Sequence, residues 1–333
     1  MTRLRPAAAA APALGVALAF VPLVAPHNIT VLNLGFFTFL YVAQGLAWNI
    51  LGGFAGYVSF GYAAFFGLGA YTTALLWLHG WTPVLTFPLA GLCAAAFSLV
   101  VGVPTLRLIG PYFSIATIGV GEAMRILMLN LDNITGGASG LNLPTTVPSK
   151  GWFYIASLVL AAIAYATASW VRTSRLGLGL AALRMDLDAA ETLGVRTALF
   201  KNVAHVISAF LVGVCGGLFA MYFQYLHPDN VFSFTESISL VLIALIGGLG
   251  TIWGPILGAA VFFAVQDYLQ TSYPTFHLLV YGVLLIVILL FEPRGLAGLA
   301  ARLAGRRRAP APVALAPPAP GTVAPPSTPG GGS

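Results

Sequence analysis

Long apolar runs, most near the twenty residues that a helix needs to cross a bilayer, alternate with short polar joints along most of the chain. Ten segments carry this pattern wholly or in part: 7–25, 30–51, 57–78, 84–106, 111–131, 152–171, 202–226, 236–249, 255–270 and 277–292. The eighth and ninth are short and are joined by the glycine-rich run Ile246–Pro255. That run predicts either two spans or a re-entrant, broken pair. Non-helical backbone at membrane depth persists only where protein or a water-filled cavity covers it. The expected fold class is therefore all-α, a polytopic integral membrane protein of about 8–10 transmembrane helices.

Composition agrees with the pattern. Hydrophobic residues make up 59% of the 333 positions, charged residues 7%, and mean hydropathy is +0.92. A soluble domain carries about 25% charge, so the lipid bilayer is the expected surrounding. The net charge of +6 does not argue for nucleic acid, because the bases sit at the ends of apolar segments rather than on a folded polar domain. Cys93 and Cys215 each lie inside an apolar run and imply no disulfide or metal framework. Arg3 and Arg5 precede the segment 7–25, which reads as a retained first helix rather than a cleaved signal peptide. Past Arg308 the Pro, Ala and Gly-rich stretch 309–333 has no charge and no means of building a core. It reads as a disordered tail on a membrane domain spanning 1–308.

Charge placement then orients the chain. With a cytoplasmic N-terminus, ten crossings put thirteen of the fifteen Lys and Arg on the cytoplasmic side, leaving Lys150 outside and Arg125 within a span. The opposite orientation violates the positive-inside rule. Both termini and the charged island from Arg172 to Lys201 are thus expected in the cytoplasm. The island holds five of the fifteen basic and three of the nine acidic residues. Within it, Leu178 to Leu193 reads as one helix, with Leu183, Leu187, Ala190 and Leu193 as an apolar stripe and Arg184 and Asp188 as an i,i+4 pair. Gly194 is placed to stop it in a left-handed cap. A short amphipathic helix of this kind suits docking into a partner's groove, the alternative being a helix lying at the lipid headgroups.

At these residues the sequence resembles a known family. Asp188-Ala189-Ala190-Glu191-Thr192-Leu193-Gly194 is similar to the EAA-x3-G loop of bacterial ABC importer permeases, with Asp in the place of Glu. Arg175, Gly177, Arg184 and Val195 extend the likeness to the permeases of branched-chain amino-acid ABC transporters. Two more stretches agree: Tyr112-Phe113, Thr117, Gly121-Glu122 and Arg125 with Thr135 to Gly140, and Gly247-Gly248-Leu249-Gly250-Thr251 with Gly254-Pro255. The resemblance implies a coupling helix that rests on a separate ATPase and switches the permease between outward and inward access. It also implies a homologous second permease, two cytoplasmic ATPases that use ATP and Mg, a periplasmic solute-binding protein, and residence in the bacterial inner membrane. The chain has no G-x-x-x-x-G-K-[ST] run, so no cofactor, ATP included, is expected on it.

The candidate translocation-path or bundle-interior residues are Thr117, Gly121, Glu122, Arg125, Gly247, Gly248, Gly250 and Gly254. Glu122 and Arg125 share a helix face at i,i+3, either as a mutually satisfied structural pair or as part of a polar path. The glycines allow close packing or an unwound stretch that exposes backbone to a solute. Gly52, Gly53 and Gly56 echo them. Gln44, Asn49, Asn130, Asn133, Glu236 and Asp267 are expected at water interfaces, the Trp residues near span ends as an aromatic belt, and His205 and His277 as packed. No catalytic constellation or metal spacing is apparent. Solutes other than branched-chain amino acids, such as urea, short amides, sugars or nucleosides, and an autonomous secondary transporter, remain as alternatives.

Overall fold

The structure is a computed structural model that describes residues 28–144 and 148–272, together with 279, 280, 283, 295, 296 and 298. The predicted segment 7–25, all of 277–292 but residues 279, 280 and 283, His277 and the tail 309–333 lie outside this range. Within it each predicted apolar segment forms a helix: α1 Ile29–Asn49, α2 Tyr62–Leu78, α3 Pro83–Thr105, α4 Pro111–Leu129, α5 Lys150–Thr173, α8 Thr197–Phe223, α9 Phe234–Gly247 and α10 Gly254–Ser272. The island supplies α6 Arg175–Met185 and α7 Leu187–Thr192. Among the described residues six stretches are long and apolar enough to cross a membrane, while α2 and the stretch Gly254–Leu269 of α10 are shorter. Among the described residues the strand content is one two-residue antiparallel ladder, Leu141-Asn142 against Tyr225-Leu226. The fold is all-α and multi-pass.

Local chemistry sets the helix starts. Asn28, Ser149 and Ser233 each cap a first turn by accepting a backbone N–H, and Pro83 and Pro111 open α3 and α4, where a missing N–H costs nothing. Between helices, lipid supplies no hydrophobic drive, so small residues that let backbones meet hold the bundle together. α8 packs along both α2 and α3, α1 along α5, and α10 across α9 and α1. Where α8 meets α2, a Cβ on Gly216 would run into the Phe66 carbonyl oxygen and one on Gly69 into that of Gly213. Aromatic packing closes the other end of α8, with Tyr222 stacked on Phe36 at 4.2 Å and edge-on to Phe153.

The chain breaks its helices in the interior. α1 loosens into a turn of π-helix at Ile50–Ala55 and leaves it through a left-handed Gly56. Residues 56–61 are not helical, yet their polar groups are served by side chains: Trp48 Nε1 donates to Ser59 O at 2.9 Å, Ser114 Oγ to Val58 O at 2.7 Å, and Phe60 N to Thr117 Oγ1 at 3.1 Å. This satisfies the rule that irregular backbone in lipid must be covered and bonded.

Several sequence expectations are corrected. Trp48 is not in an aromatic belt but fully buried, because its indole N–H is needed at the break, whereas Trp81 and Trp170 are exposed near span ends. Gln44 and Asn49 are wholly buried rather than at an interface, and Glu236 is partly buried. Asn130, Asn133 and Asp267 are exposed, and His205 is packed edge-on against Phe65 at 5.1 Å.

Candidate functional site

The island is two helices, not one. Asp186 takes an extended conformation (φ −160°, ψ 120°), and its Oδ1 accepts the Ala189 N–H at 3.0 Å. An Asp that caps the following turn competes with continuation of the preceding helix, so α6 ends at Met185 and α7 starts afresh. The predicted apolar stripe turns inward: Leu183 and Ala190 are buried and Leu187 half-buried against the bundle, with Leu193 left exposed. The exposed residues include Arg175, Leu178, Arg184, Met185, Asp188, Ala189, Glu191, Thr192 and Leu193. Met185 and Leu193 are 88% and 83% exposed. Gly194 does stop α7 in the left-handed region at φ 81°. Glu191 Oε1 accepts from Thr197 Oγ1 at 2.5 Å and ties this stop to the start of α8. Gly177 is buried where α6 folds back on the end of α5.

The expected Arg184–Asp188 pair does not form, since the break at Asp186 removes its i,i+4 geometry. Arg184 Nη1 instead donates to Gly53 O, in the π-helical turn, at 2.6 Å. Gly53 abuts Gly250, and Asn49 clips the two together: its Nδ2 donates to Thr251 O at 2.9 Å and its Oδ1 accepts the Gly250 N–H at 3.0 Å. The two glycine runs that echo each other in sequence are therefore neighbours in space, with the island's arginine on top of both. A side chain at Gly250 would displace Arg184, and one at Gly53 would displace Asn49. Gly248 and Gly250 hold positive φ values of 114° and 76°. Gly247 and Gly254 let α9 and α10 cross backbone to backbone. A cavity of about 710 Å³ opens beside the clip, lined in part by Gly52, Tyr57, Ser114, Arg184 and Leu249.

One anchor escaped the sequence reading. Lys201, counted with the charged island, is buried, and its Nζ donates to Leu106 O and to the Tyr57 hydroxyl, each at 3.1 Å. It pins the first turn of α8 to the end of α3 and to the loop after the π-helical turn. The signal available was its place at the edge of an apolar segment, without an acidic neighbour on the same helix face.

α4 sorts its predicted residues onto two faces. Thr117 and Gly121 are buried, Thr117 bonding the interrupted backbone and Gly121 lying beside Gly61. Glu122 and Arg125 form the expected pair at the outer edge, Arg125 Nε donating to both Glu122 oxygens at 3.0 Å. Arg125 Nη1 also donates to Asp229, which the sequence reading did not connect to it, while His227 Nε2 meets Ala138 O at 3.1 Å. The arginine thus holds the end of α4 against the turn that precedes α9. Replacing Arg125 with Gln leaves two half-exposed carboxylates facing each other without their shared cation. Detergent-extracted protein from that variant is expected to lose most of its monodisperse peak in size-exclusion chromatography. Glu122→Gln is expected to lower the yield only a few-fold, since Asp229 still pairs with Arg125. Among the described residues no three His, Cys, Asp or Glu side chains gather to hold a metal ion.

A polar helix pair, clipped from outside onto two interrupted and glycine-lined helices of a multi-pass bundle, defines a membrane permease. The chain belongs to the family described as branched-chain amino acid transport system / permease component, whose profile matches residues 8–289. It is 33% identical over 293 residues to the high-affinity branched-chain amino acid transport system permease protein LivM of Escherichia coli K12, covering 78% of this chain and 68% of that protein. LivM of Salmonella typhimurium LT2 matches equally. LivH of E. coli K12 is 29% identical over 133 residues, 39% of this chain and 42% of that protein. No solved structure matches the chain significantly.

Proposed function

We propose that the chain is the transmembrane permease subunit of an ATP-driven ABC importer for branched-chain or similar small aliphatic amino acids. It sits in the bacterial inner membrane with its termini and the 172–201 island in the cytoplasm, where the positive-inside rule places them. A homologous second permease completes the pathway, two separate ATPases supply the drive with ATP and Mg, and a periplasmic binding protein delivers the solute. Similarity to both LivM and LivH supports the pairing of two permeases.

The observation that carries the reading is the clip at Arg184. The outward residues Met185, Asp188, Ala189 and Leu193 offer a grip to an ATPase. On the other face the same helices hold Gly53 and, through Asn49, Gly250. Movement of the ATPases thereby reaches the two places where membrane helices are already interrupted. Interrupted helices change conformation at lower cost than continuous ones, and a ligand-driven shift between two arrangements needs such a bistable element.

Affinity purification of the tagged chain from its own membranes tests the assembly. Two ATPases and a second permease are expected in the eluate. Met185→Asp with Leu193→Asp, which puts charge on the outward face, is expected to reduce ATPase recovery at least about tenfold while the second permease stays bound. Undiminished ATPase recovery would remove the docking assignment. Gly194→Val strains a left-handed stop and is expected to lower ATP-driven uptake several-fold without loss of chain from the membrane, measured on the same vesicles.

A further inference from the structure

The coupling route leaves two polar side chains in the apolar bundle unexplained. Gln44 on α1 is fully buried, and its Nε2 donates to Glu236 Oε1 on α9 at 3.0 Å. That bond turns the amide nitrogen toward the carboxyl group and the amide oxygen away. That oxygen, Gln44 Oε1, is buried with no donor. Glu236 keeps part of its surface open. Among the described residues its carboxylate makes no ion pair: the arginine pairs are those of Arg125 with Glu122 and Asp229.

Gln44 Oε1 is therefore an acceptor in want of a donor, and beside it stands a carboxyl group that makes no ion pair inside a membrane-spanning segment. Buried polar groups are almost always bonded, and an unpaired intramembrane carboxylate points to an ion or substrate pathway. Two serines of the same helix turn are used as acceptors: Ser237 Oγ accepts the Ala63 N–H, and Ser233 Oγ accepts the backbone N–H of Glu236 itself. Around them lie Leu40, Leu240 and Ile243, all buried, and Gly45 beside Ile243. A cation with several N–H donors and an aliphatic body fits that environment.

We infer that Gln44 and Glu236 form an ammonium subsite on the translocation path. The solute's primary ammonium donates to the Glu236 carboxylate and to Gln44 Oε1, and its aliphatic part rests among the neighbouring apolar side chains. The inference builds on the amino-acid reading above and adds to it the group that recognises the charged nitrogen. It predicts that a neutral solute of similar size gains nothing from this pair.

Two compounds separate the recognition elements of leucine. Isopentylamine keeps the ammonium and loses the carboxylate; 4-methylpentanoate does the reverse. Equilibrium dialysis of radiolabelled isopentylamine against the assembled complex in nanodiscs should show saturable binding that 4-methylpentanoate does not displace. Glu236→Gln preserves size and the bond from Gln44 but removes the charge, so it should weaken that binding at least about tenfold and cut leucine uptake by a similar factor. Recovery of the complex and its basal ATP hydrolysis should stay within twofold. A wild-type complex without saturable isopentylamine binding overturns the subsite, as does binding or uptake unchanged in Glu236→Gln. Should Glu236→Gln fail to assemble, competition by 4-methylpentanoate on the wild type decides: displacement of the amine overturns the subsite and its absence sustains it. Leucine uptake by the wild type tests the transport reading separately. Its absence removes that reading while the amine-binding result still judges the subsite.

Discussion

Replacing Arg184 with Met is expected to reduce ATP-driven uptake at least about tenfold while the complex still assembles and hydrolyses ATP. Arg184 is exposed, yet its guanidinium also reaches the bundle. It turns inward and donates to Gly53 O, with its stem against Gly56 and its Nη1 packed on Gly250. A hydrogen bond with one charged partner contributes roughly 1.5–3 kcal/mol. Coupling free energies between distant sites run about 1–3 kcal/mol, so loss of this one bond is large enough to disconnect the island from the interrupted helices. Arg184→Lys keeps a charge and one donor within reach but not the planar fork, and an intermediate uptake is expected. The measurement is paired: uptake and ATP hydrolysis on the same proteoliposomes. Uptake and hydrolysis falling together would mean that Arg184 supports docking rather than transmission. Neither falling would mean that the clip carries nothing.

Gly216→Val is expected to prevent the bundle from forming, with at least about a fivefold fall in monodisperse protein after extraction. A single Cβ there already runs into the Phe66 carbonyl oxygen, a backbone atom of α2 that cannot rotate aside. Overpacking a tight core costs about 1–3 kcal/mol when side chains can yield, and more where backbone must move. Since α8 packs against both α2 and α3, separation of one contact disturbs the other. Gly119→Val on α4 is the control, because nothing lies within 4 Å of its Cβ position. It should leave the yield near that of wild type. Equal losses at both positions would indicate a general intolerance of valine rather than a specific helix contact.

The span pattern was legible because it rests on length and hydropathy, which act locally. Every apolar segment within the described residues is a helix near its expected place. Gly194 was legible for the same reason: a glycine after a run of helix formers has one common use. The break at Asp186 lay within reach, since Asp favours an N-cap. The strong helix formers on either side hid it, and with it the inward turn of Leu183 and Ala190. Asn49 and Gln44 were misplaced because their partners, Thr251 and Glu236, stand 202 and 192 residues away. A polar residue within an apolar run announces that it needs a partner, but not which one. The Arg125–Asp229 contact, across 104 residues, and the Lys201 anchor belong to the same group. The echo between Gly52-Gly53 and Gly247-Gly248 was visible as composition, yet its meaning, a direct contact held by Asn49, needed three dimensions.

The central claim is that this chain moves solute only when separate ATPases drive it. Accumulation of radiolabelled leucine in proteoliposomes tests that most directly, with the purified chain alone and with the complete complex compared side by side. The complete complex, given loaded binding protein and ATP on the side of the island, should accumulate leucine and stop when ATP is withheld. The chain alone should accumulate none under an imposed proton or sodium gradient. Gradient-driven accumulation by the chain alone would contradict the account and make it an autonomous transporter.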